Sequence, residues 1–429
     1  MKKNSLKRNA SSLLIMQAIN YLVPLITLPY LTRVLGADNY GVMGFSLGLV
    51  QYGILFINFG FGLSATKIIS KNREDNFSVT KCFWETFLSK LMLLIIAFLV
   101  LVLLVQIIDK LNEVKLIIFI YFIQLLAAAI DPIWFFQGLE RLEKVSLIGS
   151  FVRLLNIPLL FLLVKSTDDV ALAAFIQSIL LLLVSIVNLV LAYKTKIISF
   201  LSISIIKKIN IISALKVSFP IFIGSAAISL YSNSTPIILG LVSNYDEVGI
   251  YSASFRLQSA VVGIFTVLGQ VLYPRVNYLF SQDVGIGYLF IRKILIFTIP
   301  VLLLASFLFY AIVPYFALFL FGSEFALVEM TLRIMAPMIL FIPLSVVLAH
   351  GILLPLGYSK TYFLIPLLLG ILHVFYSAFL SRCYGAIGAT YSILITEIIS
   401  FIILLTVCLW KTDFMKYFYI KNDKNISNL

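Results

Sequence analysis

An all-α polytopic membrane protein, with about twelve transmembrane helices in two six-helix lobes related by a parallel pseudo-repeat, is the fold class that three observations predict. Apolar residues make up 61% of the chain and charged residues 12%, against about 45–50% and about 25% in ordinary soluble domains, and the mean hydropathy is +1.07. Runs of about 20 apolar residues, enough to cross roughly 30 Å of hydrocarbon, recur along the whole chain. A shift of 208 residues aligns a motif in the first half with one in the second.

The spans are expected near residues 11–31, 44–65, 83–108, 115–137, 145–164, 170–192, 215–242, 250–273, 293–313, 327–350, 361–380 and 387–410. The basic start "MKKNSLKRN" followed by an apolar run resembles a signal peptide. That run contains Gln17, Asn20, Pro24 and Pro29 and lacks a small-residue cleavage site, so it reads as a retained first span. Of the 32 Lys and Arg, 23 fall in segments assigned to the cytoplasm, and only Arg33, Lys110, Lys115, Lys165 and Arg382 fall in outside loops. This bias predicts a multi-pass protein with cytoplasmic termini.

The domain organisation follows from these spans. Residues 1–192 form an N-terminal lobe and residues 217–410 a C-terminal lobe, with a basic, amphipathic linker at 193–216 along the cytoplasmic surface and a polar cytoplasmic tail at 411–429. Cys82, Cys383 and Cys408 lie far apart, and His350 and His373 have no ligand-spaced neighbours, so no metal site or disulfide framework is expected. No nucleotide-binding loop is present and no cofactor is implied. The net charge of +13 resides in short loops rather than on one soluble face, which makes it a topology signal and not a nucleic-acid footprint.

The 208-residue shift places Asp38, Gly41, Ser46 and Leu49 on Asp246, Gly249, Ser254 and Leu257. So few matches in a Leu-rich chain also lie within reach of chance. The first span of each half is unusual: one carries Pro24 and Pro29 with Gln17 and Asn20, the other Pro220 and Pro236 with Asn233 and Ser234. Interrupted helices in corresponding positions point to a transport cavity. Proline is common in membrane helices, but the accompanying amides and hydroxyls favour the cavity, which these polar residues would line.

Four cations fall inside spans: Lys90, Arg153, Arg256 and Arg333. At about 1.5 Å per residue, Lys90 and Arg153 lie roughly 10–12 Å from the inner surface and Asp131 roughly 9 Å from it. Either the two cations and one carboxylate leave a net positive site for an anionic group, or Asp131 and Arg153 neutralise each other. Asp131-Pro132 reads as an N-cap followed by proline at the first helical position, breaking and restarting the helix. Arg256 and Arg333 lie roughly 9 Å from the outer surface. Glu397, near mid-span, is a candidate proton or cation site or a carboxyl hydrogen-bonded between helices; Asp131 is likewise a candidate for coupling or for structure. The two histidines read as structural.

The stretches "NYLVPLITLPYLTRVLGADNYGVMGFSLGLVQYGILFINFGFGLSATKIIS", "DPIWFFQGLERLE", "VGIYSASFRLQ", "LYPRVNYLF" and "YGAIGAT" resemble the polysaccharide transporter family, in particular O-antigen and related repeat-unit flippases. That family lies within the multidrug/oligosaccharidyl-lipid/polysaccharide exporter superfamily, and the likeness runs from about Lys7 to about Trp410. It implies a flippase that moves an undecaprenyl-pyrophosphate-linked glycan across the lipid bilayer by alternating access. The energy source stays open between a proton or sodium gradient and downhill flipping pulled by outside polymerisation, with a polysaccharide polymerase and a chain-length regulator as candidate partners. The family's cationic cavity is matched by residue type in Lys90, Arg153, Arg256 and Arg333. Three rivals remain: a drug or cation antiporter of the same fold, which calls for an acidic cavity; a lipid II flippase, whose relatives commonly carry extra helices; and a membrane polymerase or ligase, which calls for a large outside loop.

Overall fold

The computed structural model describes the backbone of residues 3–198 and 209–419, and the side chains of residues 19–198, 209–265, 275–317, 319–358 and 360–417. The Gln17 side chain, residues 199–208 of the expected linker and residues 420–429 of the tail lie outside the described residues. Every regular element among the described residues is helical. The chain divides into two compact units, one comprising Met1–Ser229 with Gly240–Gly249 and the other Leu230–Leu239 with Ile250–Leu429.

In the first unit, α1 (Lys3–Asn58) is interrupted at Gly36, whose φ of 75° is outside the helical range and is readily adopted only by glycine. Pro24 and Pro29 do not break it. Near them the Thr27 and Thr32 hydroxyls donate to the carbonyls of Val23 and Leu28, each at 3.0 Å, a back-bonding that serves helix carbonyls without water. Phe59 and Gly60, both at positive φ, turn the chain into α2 (Phe61–Lys71). Asp75 then caps α3 (Asn76–Ile107) by accepting from the amides of Phe77 at 3.0 Å and Ser78 at 3.3 Å.

The rest of this unit comprises α4 (Lys115–Ile130), α5 (Ile133–Gly138), α6 (Leu142–Leu154), α7 (Asn156–Leu163) and α8 (Val170–Lys194). Phe83, Trp134 and Phe135 form the centre of an aromatic core that Ala65 and Ala192 allow to close, because small residues let membrane helices approach.

After α9 (Ile211–Ser232), the second unit contains the first part of α10 (Thr235–Val242), most of α11 (Tyr245–Gln282), α12 (Val284–Phe321), α13 (Val328–Met335), α14 (Met338–Leu348), α15 (Ser359–Lys411) and α16 (Phe414–Tyr419). Gly385, at φ 56°, interrupts α15. Tyr288, Leu302, Ile352 and Cys408 lie in its core. On α12, Phe297, Phe307 and Phe319 are 67%, 64% and 75% exposed; in a chain this apolar such side chains face lipid.

Ten helical stretches among the described residues are long and apolar enough to cross a membrane. Two of them, with 53 and 52 residues, contain the kinks at Gly36 and Gly385 and are each long enough for two crossings, which yields the expected twelve. Within the spans at 115–137, 145–164, 215–242 and 327–350 the helices are interrupted at Asp131-Pro132, Leu155, Asn233-Ser234 and Ala336-Pro337. Proline supplies the break at Asp131-Pro132, since it disfavours helical geometry in the residue before it, whereas Ala336 before Pro337 stays helical at φ −53° and ψ −43°.

The 208-residue relationship reappears as a reciprocal crossing inside the first unit. A Cβ on Gly41 would overlap the Tyr245 carbonyl oxygen, and a Cβ on Gly249 would overlap the Ala37 carbonyl oxygen. Tyr245 and Gly249 are the residues onto which the shift carries Ala37 and Gly41, so each motif copy presses its glycine on the other's backbone.

Gly41→Val or Gly249→Val is therefore expected to destabilise the purified protein by about 1–3 kcal/mol through overpacking. Gly62→Ala, where no atom lies within 4 Å of an added Cβ, is expected to stay within about 0.5 kcal/mol; thermal unfolding in detergent measures both. The Asp75 carboxyl is held below its ordinary range by the Ser78 hydroxyl first and then by the amides of Ser78 and Phe77. Its cap is present above the unfolded carboxyl's range and is lost as pH falls through the folded value. Hydrogen exchange in the first turn of α3 should accelerate over that acid window in the native protein and be fast throughout in Asp75→Ala.

Candidate functional site

The site in the first unit starts from a helix that cannot continue. Pro132 drives Asp131 into an extended conformation (φ −71°, ψ 116°), so α4 ends there and α5 resumes at Ile133. The expected N-cap role of Asp131 does not occur, since Pro132 occupies the cap position of α5 without a side-chain hydrogen bond. The carboxylate instead accepts from Asn188 Nδ2 of α8 at 2.9 Å. The cap position falls one residue later, on Pro132, and a buried amide donor stands on the neighbouring helix.

The orphan carbonyls at the end of α4 need donors in a medium without water. Lys90 of α3, only 2% exposed, donates from Nζ to the Asp131 main-chain oxygen at 3.3 Å. Its ammonium also lies within electrostatic reach of the Asp131 carboxylate and at the negative end of the helix dipole. Arg153, in the last turn of α6, donates a hydrogen bond to Asn20 Oδ1 of α1 and is also within reach of Asp131. Lys90, Asp131, Arg153 and Asn20 thus meet in one region of the first unit.

Lys90 and Asp131 line a cavity of about 400 Å³ whose further polar contributions come from Asn58, Gln137 and Ser225. Thr66 holds the α5 wall by donating to the Trp134 carbonyl at 3.0 Å. Asn188, Asn58, Gln137 and Ser225 were not singled out from the sequence. The signal for Asn188 was an amide within an otherwise apolar span, and for Gln137 its place in "DPIWFFQGLE". Such an arrangement can hold hydroxyl-rich and anionic groups through amides, a hydroxyl and cations.

In the second unit, Arg333 donates to Glu329 at 2.8 Å and lies 5.2 and 5.1 Å from the ring centres of Tyr310 and Tyr315. Its guanidinium is thus partnered within α13 and by two aromatic faces. Arg256, half-buried on α11, has no hydrogen bond or ion pair among the described residues. Asn233 and Ser234 form the break between α9 and α10, with the Ser234 hydroxyl buried. Pro220 lies exposed inside α9, and Pro236 is in the first turn of α10. Glu397 is buried at 8% exposure. His350 bonds the Tyr362 hydroxyl at 3.3 Å, and His373 lies between the hydroxyls of Thr235 and Thr396. No cluster of three or more His, Cys, Asp or Glu able to hold a metal occurs among the described residues.

Residues 6–280 match the family described as "Polysaccharide biosynthesis protein". Over 403 residues, covering 92% of this chain and 94% of its relative, the sequence is 32% identical to the "Putative O-antigen transporter" of Escherichia coli (strain K12). It is 30% identical over 401 residues to a protein of the same description from Shigella dysenteriae, covering 92% and 98% of the two chains. Among solved structures, the lipid II flippase MurJ in an inward closed conformation is similar with a TM-score of 0.67 at 15% identity, covering 96% of this chain and 89% of that one. An inward-facing multidrug resistance MATE family transporter of the MOP superfamily is similar with a TM-score of 0.62 at 14% identity, covering 94% and 98%. These structural likenesses establish the two-lobed helical transporter fold. The sequence matches place the chain in the polysaccharide biosynthesis protein family.

Proposed function

We propose that the protein is a flippase that moves an undecaprenyl-pyrophosphate-linked oligosaccharide repeat unit, of O-antigen or a related polysaccharide, from the inner to the outer leaflet of the bacterial inner membrane. The observation that carries this reading is the state of the intramembrane arginines. Arg256 has no hydrogen bond or ion pair among the described residues, and Arg153, which shares the Asp131 carboxylate with Lys90, is hydrogen-bonded to a neutral amide, Asn20. A charged group at such depth costs several kcal/mol unless it is partnered. A pyrophosphate or acidic sugar supplies that partner during transport, and the planar guanidinium suits it through paired hydrogen bonds.

The cavity beside Lys90 and Asp131 fits the glycan. Asn58, Gln137 and Ser225 offer donors and acceptors in the mixture that sugar hydroxyls require, while the polyprenyl tail remains in lipid. Both termini lie in the cytoplasm by the distribution of Lys and Arg, with the expected lobes 1–192 and 217–410 alternating access around the 193–216 linker. No bond is made or broken in this cycle. A polymerase and its chain-length regulator on the outer side would consume the product. A cationic drug is disfavoured as cargo because intramembrane cations outnumber Asp131 and Glu397.

In a strain lacking the gene, Arg153→Ala and Arg256→Ala are each expected to reduce glycan export about tenfold or more. That magnitude follows from the loss of a charged hydrogen bond worth about 1.5–3 kcal/mol. Arg333→Gln, which removes a side chain already engaged by Glu329 and two tyrosines, should leave export within about twofold, a change below 0.5 kcal/mol. Undiminished export by both alanine variants at wild-type protein levels would reject the assignment.

A further inference from the structure

The second unit contains a buried carboxyl and a histidine-centred hydrogen-bond chain that the proposed anion contacts do not use. Glu397, on the part of α15 beyond the Gly385 kink, is 8% exposed and has no hydrogen bond or ion pair among the described residues. The groups in electrostatic reach of it are the phenols of Tyr231, Tyr251 and Tyr376. No Lys, Arg, Asp or other Glu acts on it among the described residues. An ionised carboxylate in that setting carries an uncompensated desolvation cost of several kcal/mol, so something must neutralise it.

The neighbouring chain has a defined direction. Thr396 donates its hydroxyl proton to the Ser392 carbonyl at 2.8 Å, so its oxygen accepts from the Tyr376 hydroxyl and from His373 Nδ1, the latter at 2.7 Å. His373 therefore carries its proton on Nδ1, and Nε2 accepts from the Thr235 hydroxyl at 3.1 Å. The histidine is fully buried, with the Tyr376 ring 5.4 Å from it and no acidic or basic side chain acting on it among the described residues. Thr235 opens α10 next to the Asn233-Ser234 break. The chain consequently joins the residue beside Glu397 to the interrupted helix.

We propose that Glu397 is a proton-binding site of the second unit, with His373 as a positioning residue that links its protonation to the break at Asn233-Ser234. The carboxylate takes one proton from water to become the neutral acid and returns it to water on release; no other bond changes. Proton binding stands apart from the cargo's identity, whereas its use to drive transport rests on the flippase reading above.

Infrared difference spectroscopy of the full-length protein in lipid nanodiscs, recorded through a pH titration in H2O and D2O, tests this without any substrate. The expected signal is a reversible, D2O-sensitive carboxylic C=O stretch at the high frequency of an unhydrated acid. It should vanish in Glu397→Gln, survive in Asp131→Asn, and shift in frequency without vanishing in His373→Asn. Replacing potassium by sodium should leave it unchanged. A band that persists in Glu397→Gln, the absence of such a band from the wild type, or its removal by sodium would each overturn the proposal, the last by making the site one for a metal cation. In proteoliposomes with a pH gradient, loss of gradient stimulation in Glu397→Gln would support the coupling step, and stimulation equal to wild type would overturn that step alone.

Discussion

A membrane helix that stops inside hydrocarbon must have its carbonyls satisfied by the protein, and in the first unit that constraint falls on one lysine. The Lys90 ammonium reaches the Asp131 carbonyl where Pro132 ends α4, at a helix end whose dipole and carboxylate both attract it. Asn188 then fixes the carboxylate. With those groups satisfied, the chain can turn through Asp131-Pro132 and place Trp134 and Gln137 beside the cavity. The same lysine thus closes the helix and lines the cavity, while Arg153 meets only a neutral amide as its hydrogen-bond partner.

The second unit solves related problems with different chemistry. Its interrupted helix breaks at Asn233-Ser234 rather than at an Asp-Pro step, and the polar groups around it are hydroxyls and an imidazole. Arg333 is retained within its own helix turn and between two tyrosine rings, which leaves Arg256 as the candidate anion contact there. The two halves share the motif that crosses at Gly41 and Gly249, yet their intramembrane charges differ: Lys90, Arg153 and Asp131 gather in one region of the first unit, whereas in the second Arg333 is held by Glu329 and Glu397 lies beside phenols.

Much of the fold was legible because bilayer thickness imposes a length on every span and because Lys and Arg avoid the interior. The kinks at Gly36 and Gly385 were legible only as gaps between spans, since a single residue at positive φ leaves the helical pattern on both sides intact. The site was legible as residue types and depth: Lys90, Asp131 and Arg153 were expected at similar distances from one surface, and the structure brings them into one region. What each one bonds was not legible. The Asp131 carboxylate's partner lies 57 residues away on α8, a pairing fixed by helix packing that no local spacing encodes. For Arg333 the opposite holds, because Glu329 stands one helical turn earlier, a spacing that brings side chains together and was present in the sequence.

The proposed role of Arg153 and Arg256 is to hold the phosphates of a lipid carrier. It is tested most directly by reconstituting the protein in liposomes and comparing translocation of two lipids that bear the same glycan, one on polyprenyl pyrophosphate and the other on an uncharged lipid anchor. The account predicts movement of the pyrophosphate-linked glycan and little or none of the neutral one, with the difference shrinking as inorganic pyrophosphate is added in competition. Equal movement of both lipids would contradict it and would assign recognition to the sugar alone.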